Sequence, residues 1–159
     1  LAEQGMRFEN FFCTSPVCSP ARASLLTGTI PSQHGVHDWL RDDDEKQSAL
    51  EYLAGQYSYT RALAENGYCC ALSGKWHMGA SGKVQQGFTH WFSHKSGGGP
   101  YYGAPMYKDG VLYREERYVT DAITEDALEF LDTQKDQEQP FYLHVAYTAG
   151  ASLACRDRG

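Results

Sequence analysis

The spacing of apolar and polar positions divides the chain into a few well-marked elements. Leu1-Ala2-Glu3-Gln4 before Gly5 reads as a helix end closed by a glycine. Met6 to Phe12, rich in aromatic residues, reads as a short strand or an extended entry that Thr14-Ser15-Pro16 breaks. Apolar Ala23, Leu25 and Leu26, with Pro20 in the first turn and Gly28 as the stop, predict a helix over 20–27. Residues 31–58 are polar and irregular. Ser58 as cap and Gly67 as terminator bracket a helix over 58–66, and Tyr68 to Leu72 is a short buried strand that holds Cys69 and Cys70. Residues 74–110 are rich in glycine and aromatics and predict a long loop, a length that points to a functional, substrate-facing role. The clearest helix spans 119–131, where Val119, Ala122, Ile123, Ala127, Phe130 and Leu131 form one apolar stripe, with Thr120-Asp121 as cap and first-turn charge. Phe141 to Tyr147 reads as a buried strand.

This order of helices and strands predicts an α/β layered fold with a mostly parallel sheet. Such sheets bind ligands at the carboxyl ends of their strands. Ser73-Gly74-Lys75-Trp76-His77 follows a predicted strand at the place where that rule puts a site.

Composition narrows the picture. The 159 residues, 42% of them hydrophobic, suffice for one domain with its own core. Lys plus Arg number 14 and Asp plus Glu 20, so the net charge of −6 lacks the basic face of a nucleic-acid binder. No apolar run approaches the length of a membrane span. No signal peptide is visible and the first residue is Leu1, so the chain is expected to be processed, trimmed or a fragment. A periplasmic or secreted location is expected if the full-length protein carries a leader, and a cytoplasmic one otherwise. The five cysteines (Cys13, Cys18, Cys69, Cys70 and Cys155) are odd in number and contain no C-x-x-C pair, which argues against a disulfide framework or a zinc knuckle.

The candidate chemistry starts at Cys18. It stands at the mouth of a predicted helix, whose free N–H groups and positive dipole end favour an oxyanion. Arg22, four residues on, adds a planar cation suited to a tetrahedral anion. On spacing alone, a small buried cysteine beside a surface arginine is an equally good reading. His34 and His37 flank Gly35 and read as surface or loop-packing histidines. His90 and His94 straddle Trp91-Phe92 and either line a pocket or pack among aromatics. His144 reads as a satisfied core histidine. Asp42-Asp43-Asp44-Glu45 lacks the alternating spacing of a calcium loop and reads as a solvated turn. Gly97-Gly98-Gly99 has no following Lys-Ser/Thr, so it is an aromatic-flanked cleft wall rather than a phosphate loop.

Two strings settle on one family. Cys18-Ser19-Pro20-Ala21-Arg22, continued to Leu25 and Thr27-Gly28, resembles the sulfatase signature C-x-P-x-R-x-x-L-x-T-G. Gly74-Lys75-Trp76-His77-Met78-Gly79 resembles that family's second signature, G-K-W-H-x-G. The likeness extends over residues 1–149, through Pro31 to Val36, Tyr118 to Asp121 and Pro140 to Leu143. The resemblance implies part of an alkaline-phosphatase-like sandwich, with a mostly parallel central sheet and flanking helices, incomplete at both ends. Residues 1–149 would be a partial catalytic domain. Residues 150–159 would be an atypical tail, arising from a frameshift or truncation, because the Pro-His step expected after the last strand is missing.

The same resemblance implies the chemistry. Cys18 would be oxidised to formylglycine by a sulfatase-maturing enzyme and, as the hydrated aldehyde, attack the sulfate ester and touch the metal. Arg22 would steady the hydrate, Lys75 contact a sulfate oxygen, and His77 assist proton transfer. Ser93 and His94 are candidate substrate contacts. Calcium or another divalent cation would offset the sulfate charge, with its remaining ligands outside this chain. The substrate would be a sulfated small molecule or carbohydrate, and no nucleic-acid partner is implied. A phosphonate or phosphate ester hydrolase of the same superfamily is the near alternative. A non-catalytic truncated remnant is the distant one. The isolated chain is expected to be inactive or very weak.

Overall fold

The computed structural model describes residues 2–41 and 45–149. Residues 42–44, the first three of the four-residue acidic run, lie outside the described residues, as does the proposed tail at 150–159. Residues 2–4 form a turn rather than a helix end, and residues 6–12 form no strand and join no sheet.

The first helix, α1 (Cys18–Thr27), begins two residues earlier than Pro20 and ends on Gly28 in the left-handed conformation. Two four-residue helices, α2 (Pro31–His34) and α3 (Glu45–Ser48), punctuate the stretch that reads as irregular. The next helix, α4 (Tyr59–Glu65), starts where the Ser58 hydroxyl accepts the Arg61 N–H at 3.2 Å, so the predicted cap is in place. Strand β1 (Cys69–Gly74) follows, with Cys70 buried and Cys69 half-buried.

The glycine-rich stretch is not one long loop. It contains β2 (His90–His94) and β3 (Ala104–Lys108), and β4 (Val111–Glu115) completes a hairpin. The turn is a two-residue Asp109-Gly110 connection with φ of 50° and 85°, the doubly positive geometry that fits the twist of a hairpin. Helix α5 (Val119–Gln134) then crosses back to β5 (Phe141–Ala146). No side-chain cap bond forms at Tyr118, its N-cap, so Thr120-Asp121 supplies only the first-turn charge of Asp121.

The five strands order as β4-β3-β2-β1-β5. Strands β2, β1 and β5 pair in parallel, β3 runs against β2 and β4 against β3, so four of the five point the same way. This is the mostly parallel α/β sheet that the element order predicts.

Side-chain alternation gives the sheet two packed faces. On one, Cys70, Leu72 and Trp91 meet Ala23 and Leu26 of α1 together with Trp76, Met78 and Phe88. Trp76, Phe88 and Trp91 stack edge to face, with centroids 5.2–6.1 Å apart. On the other face Phe92 and Met106 meet Val119, Ala122 and Ile123 of α5. Each such fully buried aliphatic or aromatic side chain contributes roughly 1.5–3 kcal/mol of apolar burial. The α5 stripe also buries Asp126, a polar residue inside an otherwise apolar face, while Leu131 is partly exposed. Among the described residues no helix is long and apolar enough to cross a membrane.

Candidate active site

Parallel pairing aligns the carboxyl ends of β1, β2 and β5, and the signature residues gather there. Gly74 registers with Ser93 on one side and Ala146 on the other. The chain leaves β1 through Gly74 at a φ of 118°, where a Cβ would lie 2.2 Å from the Ala146 carbonyl oxygen. Only glycine lets β1 pass so close to β5 while Lys75 turns into the site. The Lys75 N–H donates to that same Ala146 oxygen at 2.8 Å. The following turn holds His77 and Ala80 at φ of 61° and 43°, positive values that cost energy for non-glycine residues and persist where surrounding contacts enforce them.

Helix α1 brings in the nucleophile side. Cys18 is its first residue and its thiol is free and exposed. One turn on, Arg22 reaches across and its Nη1 donates to the Lys75 carbonyl oxygen at 2.8 Å. This bond ties the first signature to the second. Burial pulls the Arg22 guanidinium below its ordinary value, a pull that the neighbouring Cys18 opposes. Cys18, Arg22 and Lys75 line one cavity of about 570 Å³, floored by Leu72 and Met78 and walled by β5.

His77 does not line that cavity. It is buried behind it, and its Nε2 donates to the Leu40 carbonyl oxygen at 3.0 Å with the Trp39 ring edge-on at 5.9 Å. The Leu40 N–H donates in turn to the hydroxyl of buried Ser19, the residue after Cys18, at 3.3 Å. Leu40 thus clips His77 to the start of α1. Gly97, in the glycine run after β2, packs flat against His77, for a Cβ there would sit 2.3 Å from Nε2.

The polarity of β2 separates the two histidines that the sequence pairs. His90, at its amino end, is away from the site and its Nε2 bonds the Asp126 carboxylate at 2.9 Å. His94, at the carboxyl end, is 1% exposed and feels the charges of both Lys75 and Arg22. Burial first, then those two cations, push its imidazole down to about 4. Ser93 points the other way. It is fully buried and its hydroxyl donates to the Ser81 carbonyl oxygen at 2.8 Å, so the expectation that it contacts substrate gives way to a packing role.

His34 is a packing histidine, buried with Nδ1 accepting the Val36 N–H at 3.1 Å and Nε2 donating to Ser24 Oγ at 3.0 Å. His37 is exposed. His144 was unrecognised as a site residue. It pairs with the Tyr142 hydroxyl at 3.2 Å and also lines the Cys18 cavity, where burial and then Arg22 lower its pKa. Its even-numbered place in β5, opposite Leu72, is the only sequence signal that could have put it on the α1 face.

The donor set around Cys18 does not fit a calcium ion. It consists of Arg22, Lys75 and imidazoles, whereas calcium takes six to eight oxygens. Among the described residues no group of three or more His, Cys, Asp or Glu could hold a metal.

The arrangement is a nucleophile position at a helix start, facing two fixed cations over a partly apolar cavity, which suits attack on a tetrahedral oxyanion ester. Comparison with known proteins agrees. The family model described as Sulfatase matches residues 1–152. N-acetylgalactosamine-6-sulfatase of Mus musculus is 31% identical over 174 residues, covering 94% of this chain and 34% of that protein. N-acetylglucosamine-6-O-sulfatase of Bacteroides thetaiotaomicron is 32% identical over 143 residues, covering 89% of this chain and 23% of that protein. The solved structure of BT4656 in complex with its substrate D-glucosamine-2-N,6-O-disulfate is 30% identical with a TM-score of 0.72, covering 87% of this chain and 26% of that one. The chain spans about a third of the length of the first and about a quarter of the second.

Proposed function

The chain belongs to the sulfatase family, and from that premise we propose that it forms the nucleophile-bearing part of a hydrolase of sulfate esters acting on a sulfated carbohydrate. The observation that carries the reading is the convergence of the two signatures: Arg22 of the first donates to the main-chain carbonyl of Lys75 in the second, and both residues line one cavity with Cys18. The carbohydrate class rests on the named activities of the relatives, both sulfatases of N-acetylhexosamines.

In this reading a maturing enzyme oxidises the Cys18 thiol to an aldehyde, with molecular oxygen or a radical cofactor of that enzyme as the oxidant. Water adds to give a geminal diol. One diol oxygen attacks sulfur and the sugar alcohol leaves with a proton. The second hydroxyl then loses its proton, the C–O bond to sulfate breaks, and the aldehyde returns. A displacement at sulfur followed by an elimination at carbon, each of moderate difficulty, replaces one hard displacement. Arg22 holds charge beside the diol and Lys75 sits against a sulfate oxygen, while His77, buried behind the cavity and bonded to the Leu40 carbonyl, braces the turn that follows Lys75, and the proton of the second hydroxyl passes to water in the cavity. A divalent cation enters only with ligands from outside the described residues.

The test is coexpression with a formylglycine-generating enzyme followed by peptide mass spectrometry. Conversion replaces the thiol CH₂SH by CHO at Cys18, and an unmodified thiol under those conditions sinks the mechanism. On the whole protein, aryl and sugar sulfates should be cleaved faster than phosphonate esters. The reverse order assigns the site to phosphonate hydrolysis.

A further inference from the structure

The cavity beside Cys18 holds an imidazole that neither signature supplies. His144 lines it together with Arg22 and Lys75, whereas His77 is shut behind it. In β5 His144 registers opposite Leu72, two residues short of the Gly74–Ala146 pair, so its ring stands on the α1 face just below the turn that carries Lys75. A line of hydroxyls holds that ring. Its Nδ1 bonds the Tyr142 hydroxyl at 3.2 Å, and Tyr142 bonds the Tyr59 hydroxyl at 2.5 Å, with the two phenol rings edge to face at 5.4 Å. Tyr142 lies two residues back on the same face of β5, and Tyr59 opens α4, so the line is anchored on two elements. Burial raises both phenols above their ordinary value and keeps each a neutral hydroxyl. With Nδ1 engaged, Nε2 is the nitrogen left for the cavity. It has no hydrogen bond among the described residues and, unlike either nitrogen of His94, it is not shut away from solvent.

We propose that His144 is the proton acceptor for the elimination step: its Nε2 takes, through cavity water, the proton that the second diol hydroxyl gives up. This rests on the sulfatase reading of the site and adds to it a residue outside both signatures. The hydrogen bonds then run in one direction. His144 Nδ1–H donates to the Tyr142 oxygen and the Tyr142 O–H to the Tyr59 oxygen, which leaves Nε2 a bare lone pair. As the hydroxyl O–H breaks, its proton passes to water and a water proton passes to Nε2. The electron pair left on oxygen forms the C=O of the aldehyde, and the C–O bond to sulfate breaks with its pair on the departing sulfate. Burial and then Arg22 hold the imidazole below its ordinary value, so the ring enters the step neutral. The charge it gains arises beside a sulfate dianion, which offsets repulsion from Arg22 and Lys75. The ring returns the proton to solvent once sulfate has left.

The experiment uses the whole protein, converted at Cys18 by coexpression with a formylglycine-generating enzyme and assayed on an aryl sulfate. His144→Gln should cut kcat by at least about a hundredfold, the usual contribution of a general base, while kcat/KM, which reports the first displacement, stays within about threefold. The aryl alcohol should appear as a burst, and mass spectrometry should find the peptide around position 18 carrying a trapped sulfuryl group. A mere loss of packing would lower kcat/KM as well and trap nothing. Tyr142→Phe removes one hydroxyl and keeps the ring, so kcat should fall roughly fivefold with the same split. An unchanged kcat in His144→Gln, or kcat and kcat/KM falling together with no trapped intermediate, overturns the role of His144 and leaves the sulfatase reading intact. A converted wild type that leaves the sulfate ester uncleaved overturns both. If His144→Gln fails to fold, Tyr142→Phe decides: the split supports the role of His144, and an unchanged kcat overturns it.

Discussion

Gly74→Ala tests whether the close passage of β1 past β5 is what aims Lys75. An added Cβ would lie 2.2 Å from the Ala146 carbonyl oxygen and 2.8 Å from its carbon, both backbone atoms that cannot swing aside. Forcing a side chain onto a φ of 118° costs of order 1–3 kcal/mol. Relieving the clash parts the strands at their carboxyl ends and breaks the 2.8 Å bond from the Lys75 N–H to Ala146, another ~1 kcal/mol. The sum, about 3 kcal/mol, corresponds in a chain of this size to a fall in Tm of roughly 10 °C. Thermal unfolding followed by circular dichroism reads the fall, and the Lys75 amide shift reports the lost bond. A drop below about 3 °C with the Lys75 amide unmoved would refute the reasoning.

Cys18→Ala should move Tm by less than about 2 °C, because the thiol is exposed, while abolishing aldehyde labelling with a hydrazide probe. His90→Gln tests the bond to Asp126, which holds the imidazole above its ordinary value. A raised pKa stabilises fully below about 6.5 and the gain fades as pH climbs through the folded value, so urea midpoints of wild type and His90→Gln should differ most in mild acid and converge in alkali. His94 has the opposite sign. Its lowered pKa means stability that is complete above about 6.5 and is lost as pH falls toward about 4, so His94→Leu should flatten the acid limb of the stability curve. Glu115, 5% exposed and held by Arg117 down to about 2, should give its full contribution above about pH 4.5 and lose it progressively as pH falls from there to about 2, which a Glu115→Gln comparison in an acid titration checks.

The elements that could be read directly were those whose order is local. Helix α1, α4 and α5 and strands β1 and β5 carry caps, glycine stops or a single apolar stripe, signals made by residues within a turn or two of one another. The two signatures likewise placed Cys18, Arg22, Lys75 and His77 as candidates, because a nucleophile at a helix start and a cation after a strand are local chemical statements. What stayed hidden was the sheet between them. His90-Trp91-Phe92-Ser93-His94 has no polar face, since Trp91 and Ser93 enter one core while Phe92 packs in the other, so period-two alternation vanishes. Pro105 masks β3 as a breaker, and the Asp109-Gly110 hairpin signal was the one local cue present in that stretch. The site followed the same rule. Only parallel pairing in register, which joins residues about twenty and seventy positions apart, could bring His94 and the end of β5 beside Lys75, send His90 to the opposite end, and bury the Ser93 hydroxyl on Ser81. The residue types of this chain state what chemistry is available. Strand direction and register, which no local pattern encodes, decide which of those residues meet.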